Sequence, residues 1–345
     1  MKHAAGAIKK ALLLEAGLIH LPEGNFLTLT ERPTAGPDAG LNGIFLMFDH
    51  YRVRMITTQK PNETPFTLKN IGDDYLITRG YSTFLRHVTL EKPTLHAPNQ
   101  AFLNLASPCI FNCKFCATPK LKVRFILKSR NVLALIKSAM KSGDMVEGIA
   151  LTSGIVDSEE NTIRLLIDAI RLIRKELGHQ IPIGVEPYVT KENHIDALYN
   201  SGADEIKVNV ESFDRGIIRA VCPDLDYDKV LSALEYSTDV FGKNKVCSNV
   251  LIGLGESDDN VLNGLEEMAK IGVVTNLKPL FINPHRGRDL AEATQNRAAR
   301  PSATRMLKLA SNYRSILEKY GLKTFMFHTM CCKCTGCEIA PQQDI

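Results

Sequence analysis

Short runs of apolar residues recur from about residue 100 onward, and each run is suited to a buried strand. They occupy residues 101–105, 148–151, 181–185, 205–210, 246–252 and 276–282. Segments with the apolar spacing of an amphipathic helix lie between or after them, at residues 161–177, 228–240, 258–271 and 302–320. Strands that alternate with helices in this way indicate parallel βαβ units. The pattern predicts an α/β chain built on a partial (β/α)6 TIM-type barrel, with functional residues at the carboxyl ends of its strands.

The first 95 residues follow a different pattern. An amphipathic helical segment containing Lys9, Lys10 and Glu15 precedes a loop rich in proline and glycine. Apolar, β-branched and aromatic runs then occur at 43–48, 53–58 and 75–78. We expect three parts: a small α+β module over residues 1–95, the barrel over 96–325, and a cysteine-rich tail over 326–345. A last strand is predicted at 322–327, directly before this tail.

Composition excludes several classes of protein. The 345 residues are 44% apolar and 23% charged, which is ordinary for a globular chain that buries a large core. A net charge of +4 is too weak a bias to indicate nucleic-acid binding, which we consider unlikely. No apolar stretch approaches about 18 residues and no secretory signal is present, so we expect no membrane span. The default location is the cytoplasm, where thiols stay reduced.

Seven of the nine cysteines fall into two groups, and only Cys222 and Cys247 stand alone. The first group, Cys109, Cys113 and Cys116, directly follows the first predicted barrel strand. Thiolates at this C-x3-C-x2-C spacing can hold three irons of a [4Fe–4S] cluster and leave the fourth iron open. The alternatives are a zinc site or buried thiols. Zinc prefers four closed ligands, and no histidine or fourth cysteine lies nearby in the sequence.

This triad, with the aromatic Phe115 before its third cysteine, resembles the radical S-adenosylmethionine (SAM) superfamily. The resemblance implies that the open iron binds the amino and carboxylate groups of SAM. It also implies that electron transfer cleaves the sulfonium to methionine and a 5′-deoxyadenosyl radical, so that the cofactor carries the difficult chemistry. Hydrogen-atom abstraction requires no general base, and we assign no catalytic acid or base. An electron donor such as ferredoxin or flavodoxin is implied.

Three further segments, over roughly residues 100–290, are similar to biotin synthase and lipoyl synthase. Gly253-Leu254-Gly255-Glu256 follows the fifth predicted barrel strand, and Asn209-Val210-Glu211-Ser212 ends the fourth. Leu151-Thr152-Ser153-Gly154, after the second strand, occupies the place where relatives bind the methionine amino group. The resemblance implies a set of SAM-binding residues: Phe115, Ser153, Gly154, Asn209, Glu211, Arg215, Ile252 and Gly253.

The second cysteine group, which we call the C-terminal knot, consists of Cys331, Cys332, Cys334 and Cys337. Four thiolates in seven residues can ligate a second, auxiliary iron–sulfur cluster, which we expect to be [4Fe–4S], or a zinc ion. Adjacent cysteines cannot easily point at one metal without a local turn, so one of the four can be a spectator.

A knot in this position most resembles the two-protein lipoyl synthase found in archaea and some bacteria, each subunit of which adds one sulfur. The resemblance implies that the auxiliary cluster donates sulfur and that a second radical SAM subunit is a partner. Bacterial lipoyl synthase instead carries its auxiliary cysteines before the barrel, and residues 1–108 contain no cysteine. Biotin synthase binds a second cluster through three barrel cysteines. Only one of these has a counterpart in this sequence, which is Cys247.

A basic stretch lies beside the triad and consists of Lys120, Lys122, Arg124, Lys128, Arg130 and Lys137. It is either the docking face for an acidic lipoyl carrier protein or a solvated helix face. Glu186, His285 and Arg286 are further candidates at the barrel mouth, where they can contact cofactor or substrate.

Two other functions stay open. The first is a radical SAM enzyme of cofactor or peptide maturation, whose second cluster relays electrons or anchors substrate. The second is a metal-stabilised binding protein with a zinc tail.

Overall fold

The computed structural model describes residues 3–22, 29–72 and 74–345. Its N-terminal part consists of one helix, α1 (Ala5–Ala16), and a closed six-stranded barrel. The strands are β1 (Leu18–His20), β2 (Gly43–Phe48), β3 (Tyr51–Thr58), β4 (Phe66–Asn70), β5 (Tyr75–Arg79) and β6 (Ser82–Glu91). The three predicted strands are confirmed as β2, β3 and β5, and the helix as α1. The pattern did not predict barrel closure, in which the short β1 pairs in parallel with both β3 and β4.

The second sheet is the predicted partial barrel. Its strands are β7 (His96–Ala97), β8 (Gln100–Asn104), β9 (Gly148–Thr152), β10 (Ile183–Glu186), β11 (Glu205–Lys207), β12 (Val246–Ile252) and β13 (Val274–Pro279). Strands β8 to β13 pair in parallel in chain order, which confirms six consecutive parallel strands, and β7 adds one short antiparallel edge. The register aligns the last residues of neighbouring strands: Asn104 pairs with Thr152, and Thr152 with Glu186.

Helices cover the outside of this sheet. They are α2 (Ser129–Lys141), α3 (Glu159–Leu177), α4 (Glu192–Ser201), α5 (Arg215–Val221), α6 (Tyr227–Phe241), α7 (Asp258–Lys270), α8 (Gly287–Ala293) and α9 (Ala303–Tyr320). The N-cap side chains Ser158, Asp226, Ser257 and Ser302 each accept a hydrogen bond from the N–H three residues further on, which is why α3, α6, α7 and α9 begin where they do. These caps fix the helix starts within two residues of the positions that the sequence predicts.

The C-terminal segment enters the barrel from the amino-terminal ends of its strands. It ends in a one-turn helix, α10 (Met330–Cys334). At the start of β11 the buried carboxylate of Glu205 accepts hydrogen bonds from the backbone N–H of His328 (2.8 Å) and Thr329 (3.0 Å). The Cβ atom that a side chain would add at Gly148 would lie 2.6 Å from the His328 carbonyl, so glycine makes room for the tail.

The predicted strand at 322–327 is wrong. Residues Thr324–Met326 form a 3₁₀ turn instead. Side chains take the backbone groups that a sheet would use, since the N–H of Lys323 donates to Asn244 Oδ1 and that of Thr324 donates to Gln342 Oε1. The apolar run therefore packs into the core through Phe327 without joining a ladder.

The tail also packs on the N-terminal module. Lys10 of α1 is fully buried and forms an ion pair with Asp344 at 2.7 Å. Helix α9 contributes Met306 and Ala310 to the apolar core of the module. These contacts hold the module, the sheet and the tail around one interior space.

Candidate active site

One cavity of about 660 Å³ lies inside the half-barrel and is bounded by all three parts of the chain. The N-terminal module supplies the segment from Glu31 to Asp38 and the side chain of Arg54. The barrel supplies the carboxyl ends of its strands and the loops that follow them, and the tail supplies Cys331 and Cys337. Both cysteine groups of the sequence therefore contribute to the lining of a single cavity.

The triad is on the loop after β8, as predicted. Cys109, Cys113 and Cys116 all line the cavity. The backbone anchors this loop at two points, because Ile110 N–H donates to the Ile155 carbonyl and Lys114 N–H donates to the Val221 carbonyl, both at 2.7 Å. The loop is thus held by the segments after β9 and α5.

Arg286 also holds this loop, and it does not line the cavity. Its guanidinium is buried and donates to the carbonyl oxygens of Cys113 and Lys114, and to Asn112 Oδ1 at 2.9 Å. Asp289 accepts a further hydrogen bond at 2.7 Å and balances the charge. Arg286 therefore fixes the backbone that carries the triad, whereas His285 beside it is exposed.

The three thiols differ in acidity. A hydrogen bond from Cys222 lowers the pKa of Cys113 below its ordinary value, and the charge of Arg286 lowers that pKa further. Burial raises the pKa of Cys109 and raises the pKa of Cys116 to about 11. Cys113 is therefore the triad thiol that most readily becomes the thiolate that binds metal. Cys222, unassigned from the sequence, is the buried partner of Cys113.

A polar network crosses the middle of the cavity wall. Asn209 Nδ2 donates to Glu186 Oε1 at 2.8 Å, and Glu186 Oε2 forms an ion pair with Lys207 at 2.9 Å. The Nζ atom of Lys207 lies 3.3 Å from the Sγ atom of Cys331. This network connects the carboxyl ends of the strands, where Asn209 is, with the C-terminal knot.

Two cavity residues are unusual: Asn249 has an unsatisfied polar atom, and Glu211 has a left-handed backbone and a buried carboxyl. The Oδ1 atom of Asn249 is buried and accepts no hydrogen bond within the described part of the chain. Glu211 has a left-handed backbone (φ 64°), and burial raises the pKa of its carboxyl well above its ordinary value. Strained and unsatisfied groups of this kind are characteristic of ligand sites.

Five of the eight predicted SAM-binding residues line the cavity: Phe115, Ser153, Gly154, Asn209 and Glu211. Gly154 is required for close packing, because a Cβ there would lie 2.4 Å from the Pro108 carbonyl of the triad loop.

The other three lie elsewhere. Ile252 is buried in the barrel core and Gly253 makes a left-handed turn (φ 116°) against Ala299. Arg215 is at the surface, paired with Asp228 at 2.6 Å.

Sequence reasoning passed over Lys207 and Lys278. Both are cations inside apolar strand runs, and each has a carboxylate partner: Glu186 for Lys207, and Glu338 at 3.1 Å for Lys278. A lysine is almost never fully buried unless it is paired, so a charged position within a buried strand was the available signal. Arg54 lies on β3 of the N-terminal barrel, and no local pattern connects it with the cavity.

The donor set fits iron–sulfur chemistry. Across the described residues, no group of three or more Cys, His, Asp or Glu side chains is arranged to hold a metal ion. A [4Fe–4S] cluster places different demands on its ligands, because each thiolate binds a different iron. Three cysteines and the unsatisfied Asn249 line one cavity, so the residues present are compatible with a cluster and a polar ligand.

The comparison with protein families decides the identity of this region. The family model of the Radical SAM superfamily matches residues 103–268, from β8 into α7, and the match contains the whole triad. Residues 103–268 are a radical SAM domain. The family implies a [4Fe–4S] cluster and SAM as cofactors.

Curated relatives that match this chain include lipoyl synthases. The enzyme of Buchnera aphidicola is 27% identical over 186 residues, which are 53% of this chain and 57% of the relative. The enzyme of Pyrobaculum aerophilum is 24% identical over 176 residues, or 50% and 60% of the two chains. The matches thus span little more than half the length of these relatives.

Among solved structures, methylornithine synthase matches the fold with a TM-score of 0.50 at 14% identity, covering 66% of this chain and 70% of that one. This likeness shows the fold alone. None of the helices that the structure describes is long and apolar enough to cross a membrane.

Proposed function

We propose that this radical SAM protein inserts sulfur at an unactivated C–H bond, in the formation of lipoyl groups on an octanoylated carrier protein. The observation that carries the proposal is that the triad and the C-terminal knot contribute thiols to one cavity. Sulfur insertion needs a radical generator and a sulfur donor that reach the same substrate. The names of the curated relatives, lipoyl synthases at low identity, support the same reaction.

At the radical end, Cys109, Cys113 and Cys116 would hold the cluster, and Phe115, Ser153, Gly154, Asn209 and Glu211 would surround SAM. When bound, these cofactors supply the 5′-deoxyadenosyl radical that takes a hydrogen atom from the substrate. The protein binds, orients and keeps water away from the reacting carbon. Arg286 positions the backbone of the triad loop, and Asn209 is oriented by its hydrogen bond to Glu186.

At the other end, the C-terminal knot would hold the auxiliary cluster that supplies sulfur. Buried cations surround it, and they would balance the negative charge of a thiolate-bound cluster. Lys207 lies beside Cys331, while Arg54 and Lys278 line the cavity together with Cys337. Each of these cations also has a carboxylate partner, Glu186 for Lys207, Glu31 for Arg54 and Glu338 for Lys278, so the knot adjoins a network of charged groups.

The wall between the two ends suits an alkyl chain. Phe111, Phe125, Leu127, Tyr188 and Phe281 are among the residues that line the cavity. A cavity of about 660 Å³ is large enough for an extended acyl chain together with a nucleoside cofactor. Apolar walls with polar groups at the two ends are consistent with a substrate whose reacting carbons are saturated.

The carrier protein would approach over the basic stretch. Lys122, Arg124, Lys128 and Arg130 are exposed, and the apolar side chains of Val123 (72% exposed) and Ile126 (52% exposed) lie among them. Lys120 and Lys137 have acidic partners of their own, Asp289 and Glu176. A basic surface with exposed apolar residues is complementary to an acidic carrier domain.

Two further partners belong to this proposal. One is a low-potential donor such as ferredoxin or flavodoxin, which supplies the electron for SAM cleavage. The other is a second radical SAM subunit, which adds the other of the two sulfur atoms. Oxygen-sensitive clusters and nine free thiols fit the reducing cytoplasm that the sequence predicts.

The test compares wild-type protein with Cys334→Ala after anaerobic reconstitution, supplied with SAM, reductant and octanoylated carrier domain. We expect Cys334→Ala to cleave SAM to 5′-deoxyadenosine but to form no sulfur-containing product. Cys113→Ala, as the control for the radical end, should abolish cleavage itself. Sulfur-containing product from Cys334→Ala would rule out the knot as donor. Zinc in place of a second iron–sulfur cluster would favour the structural alternative.

A further inference from the structure

Helix α10 determines which thiols of the knot face the same way. Residues three apart on a helix share a face, while a neighbouring residue is rotated by about 100°. Cys331 and Cys334 are three apart, and Cys332 points to another side. The helix ends at Thr335, which is left-handed (φ 56°) and donates its N–H to the Cys331 carbonyl at 2.8 Å. This turn brings the chain back so that Cys337 also faces the cavity.

Cys332 is turned into the core. Its side chain is 3% exposed, and its sulfur lies 3.2 Å from Asn276 Nδ2 on β13. It also shares a hydrogen bond with the thiol of Cys247 on β12, which is fully buried. Of the four knot cysteines, Cys331 and Cys337 line the cavity, and Cys332 and Cys334 do not. The Asn276 amide that contacts Cys332 is also bonded to Glu338 at 3.0 Å. Cys332 of the knot and Cys247, which stands alone in the sequence, thus form a buried thiol pair.

The other three thiols each have a cation at hand. Lys207 Nζ is 3.3 Å from Cys331, and the guanidinium of Arg52 donates to the Cys334 carbonyl at 3.0 Å. Arg54 and Lys278 line the cavity together with Cys337. Cations near the knot can balance the negative charge of a thiolate-ligated cluster. The arrangement therefore separates three thiols in a cationic environment from one thiol whose sulfur is hydrogen-bonded to an amide and a second thiol.

We propose that Cys331, Cys334 and Cys337 are the complete set of cysteine ligands of the auxiliary cluster, and that Cys332 is not a ligand. Three thiolates leave one iron of a [4Fe–4S] cluster without a protein thiol, open to the cavity in which the substrate would lie. The inference rests on the proposed second cluster, and it adds that this cluster has a position for an external ligand. The knot thus follows a C-x2-C-x2-C pattern, with Cys332 inserted into it as a core residue.

The experiment removes the first cluster so that only the knot is measured. In the background Cys109→Ala/Cys113→Ala/Cys116→Ala, anaerobic reconstitution should give about four irons per chain. Adding Cys332→Ala should leave that iron content unchanged. Adding Cys331→Ala, Cys334→Ala or Cys337→Ala should each remove most of it. Circular dichroism of every variant identifies any that fail to fold.

A second measurement does not depend on replacing Cys332. The reconstituted protein of the same background is freed of small thiols and its cluster is reduced. Adding 2-mercaptoethanol should then change the electron paramagnetic resonance spectrum, because the open iron binds the added thiol. A spectrum that does not respond, or a Cys332→Ala variant as poor in iron as Cys334→Ala, overturns the ligand assignment alone. A background that binds no iron contradicts the second cluster itself, and with it the proposed function.

Discussion

Arg286 is a buried cation whose partners are mostly backbone carbonyl oxygens of the triad loop. A guanidinium offers five donors in a fixed planar arrangement, so one side chain can hold several points of a loop at once. The loop would have to keep three thiols in position for a cluster. Arg286 therefore acts on the cluster through the backbone, as a positioning residue.

Replacing Arg286 with alanine should weaken the first cluster. The substitution leaves buried carbonyl groups of the loop without donors, which costs about 1–3 kcal/mol for each such group. We expect Arg286→Ala to hold less iron at the triad and to cleave SAM at least tenfold more slowly, with the knot still loaded. Iron analysis and 5′-deoxyadenosine formation measure both effects. Arg288→Ala, at an exposed position two residues away, is the control. Equal iron and equal cleavage in the two variants would contradict the positioning role.

The residues that belong to sequence motifs could be predicted, whereas the residues that hold those motifs in place could not. Cys109, Cys113 and Cys116 were recognisable from spacing because iron chemistry itself imposes it. Arg286 was expected to contact cofactor or substrate, yet its partners are backbone groups, which no side-chain motif records. The sequence pattern places Lys10 on the polar surface of a helix. In the structure it is buried and pairs with Asp344, near the other end of the chain. Contacts between such distant residues leave no local pattern.

At the scale of elements, the parallel strands were predicted best. A strand buried on both faces is a continuous apolar run, and β12 occupies the predicted residues while β9 extends the predicted run by one residue. The N-terminal barrel was only partly predicted, because β1 has three residues and its closure depends on pairing with β4, far away in the sequence. The predicted strand at 322–327 was wrong because side chains satisfy its backbone.

Glycines on the barrel strands admit the tail. A Cβ at Gly184 of β10 would lie 2.0 Å from Thr329 Oγ1 and 2.8 Å from Met330 Cε. Both neighbours precede the knot directly. The approach of α10 to the sheet thus depends on the absence of a side chain at this strand position.

Gly184→Ala should therefore displace the knot. Overpacking a tight contact costs about 1–3 kcal/mol, and here the segment that can move is the tail. We expect a lower melting temperature and reduced iron at the knot, with iron at the triad retained. Gly287→Ala provides the control, because a Cβ there meets nothing closer than 3.6 Å. If Gly184→Ala binds iron at the knot as the wild type does, the tail does not depend on this contact.

At the scale of the whole molecule, the cavity is a joint product of three segments. The half-barrel is open along one side, and the N-terminal module and the tail border the space there. The predicted boundaries at 95/96 and 325/326 stay predictions. Sequence patterns could not predict the shape of this cavity. Arg54, Cys337 and Asn209 come to line the same cavity only through tertiary packing.

The basic surface can be tested by reversing charge. Arg124→Glu combined with Lys128→Glu should raise the KM for octanoylated carrier on the order of tenfold at low salt, and the effect should shrink as salt screens it. SAM cleavage without carrier should be unchanged. Lys69→Glu combined with Arg86→Glu makes the same charge change on the exposed surface of the N-terminal module. Equal KM values for the two double variants would exclude the basic stretch as the carrier surface.

The origin of the product sulfur tests the central claim most directly. The protein would be reconstituted with isotope-labelled sulfide, freed of excess sulfide, and allowed one turnover anaerobically with SAM, reductant and octanoylated carrier domain. Mass spectrometry of the carrier should find the labelled sulfur attached to the acyl chain, together with 5′-deoxyadenosine. Product sulfur without the label, or 5′-deoxyadenosine with no sulfur on the carrier, would contradict a sulfur donor at the C-terminal knot.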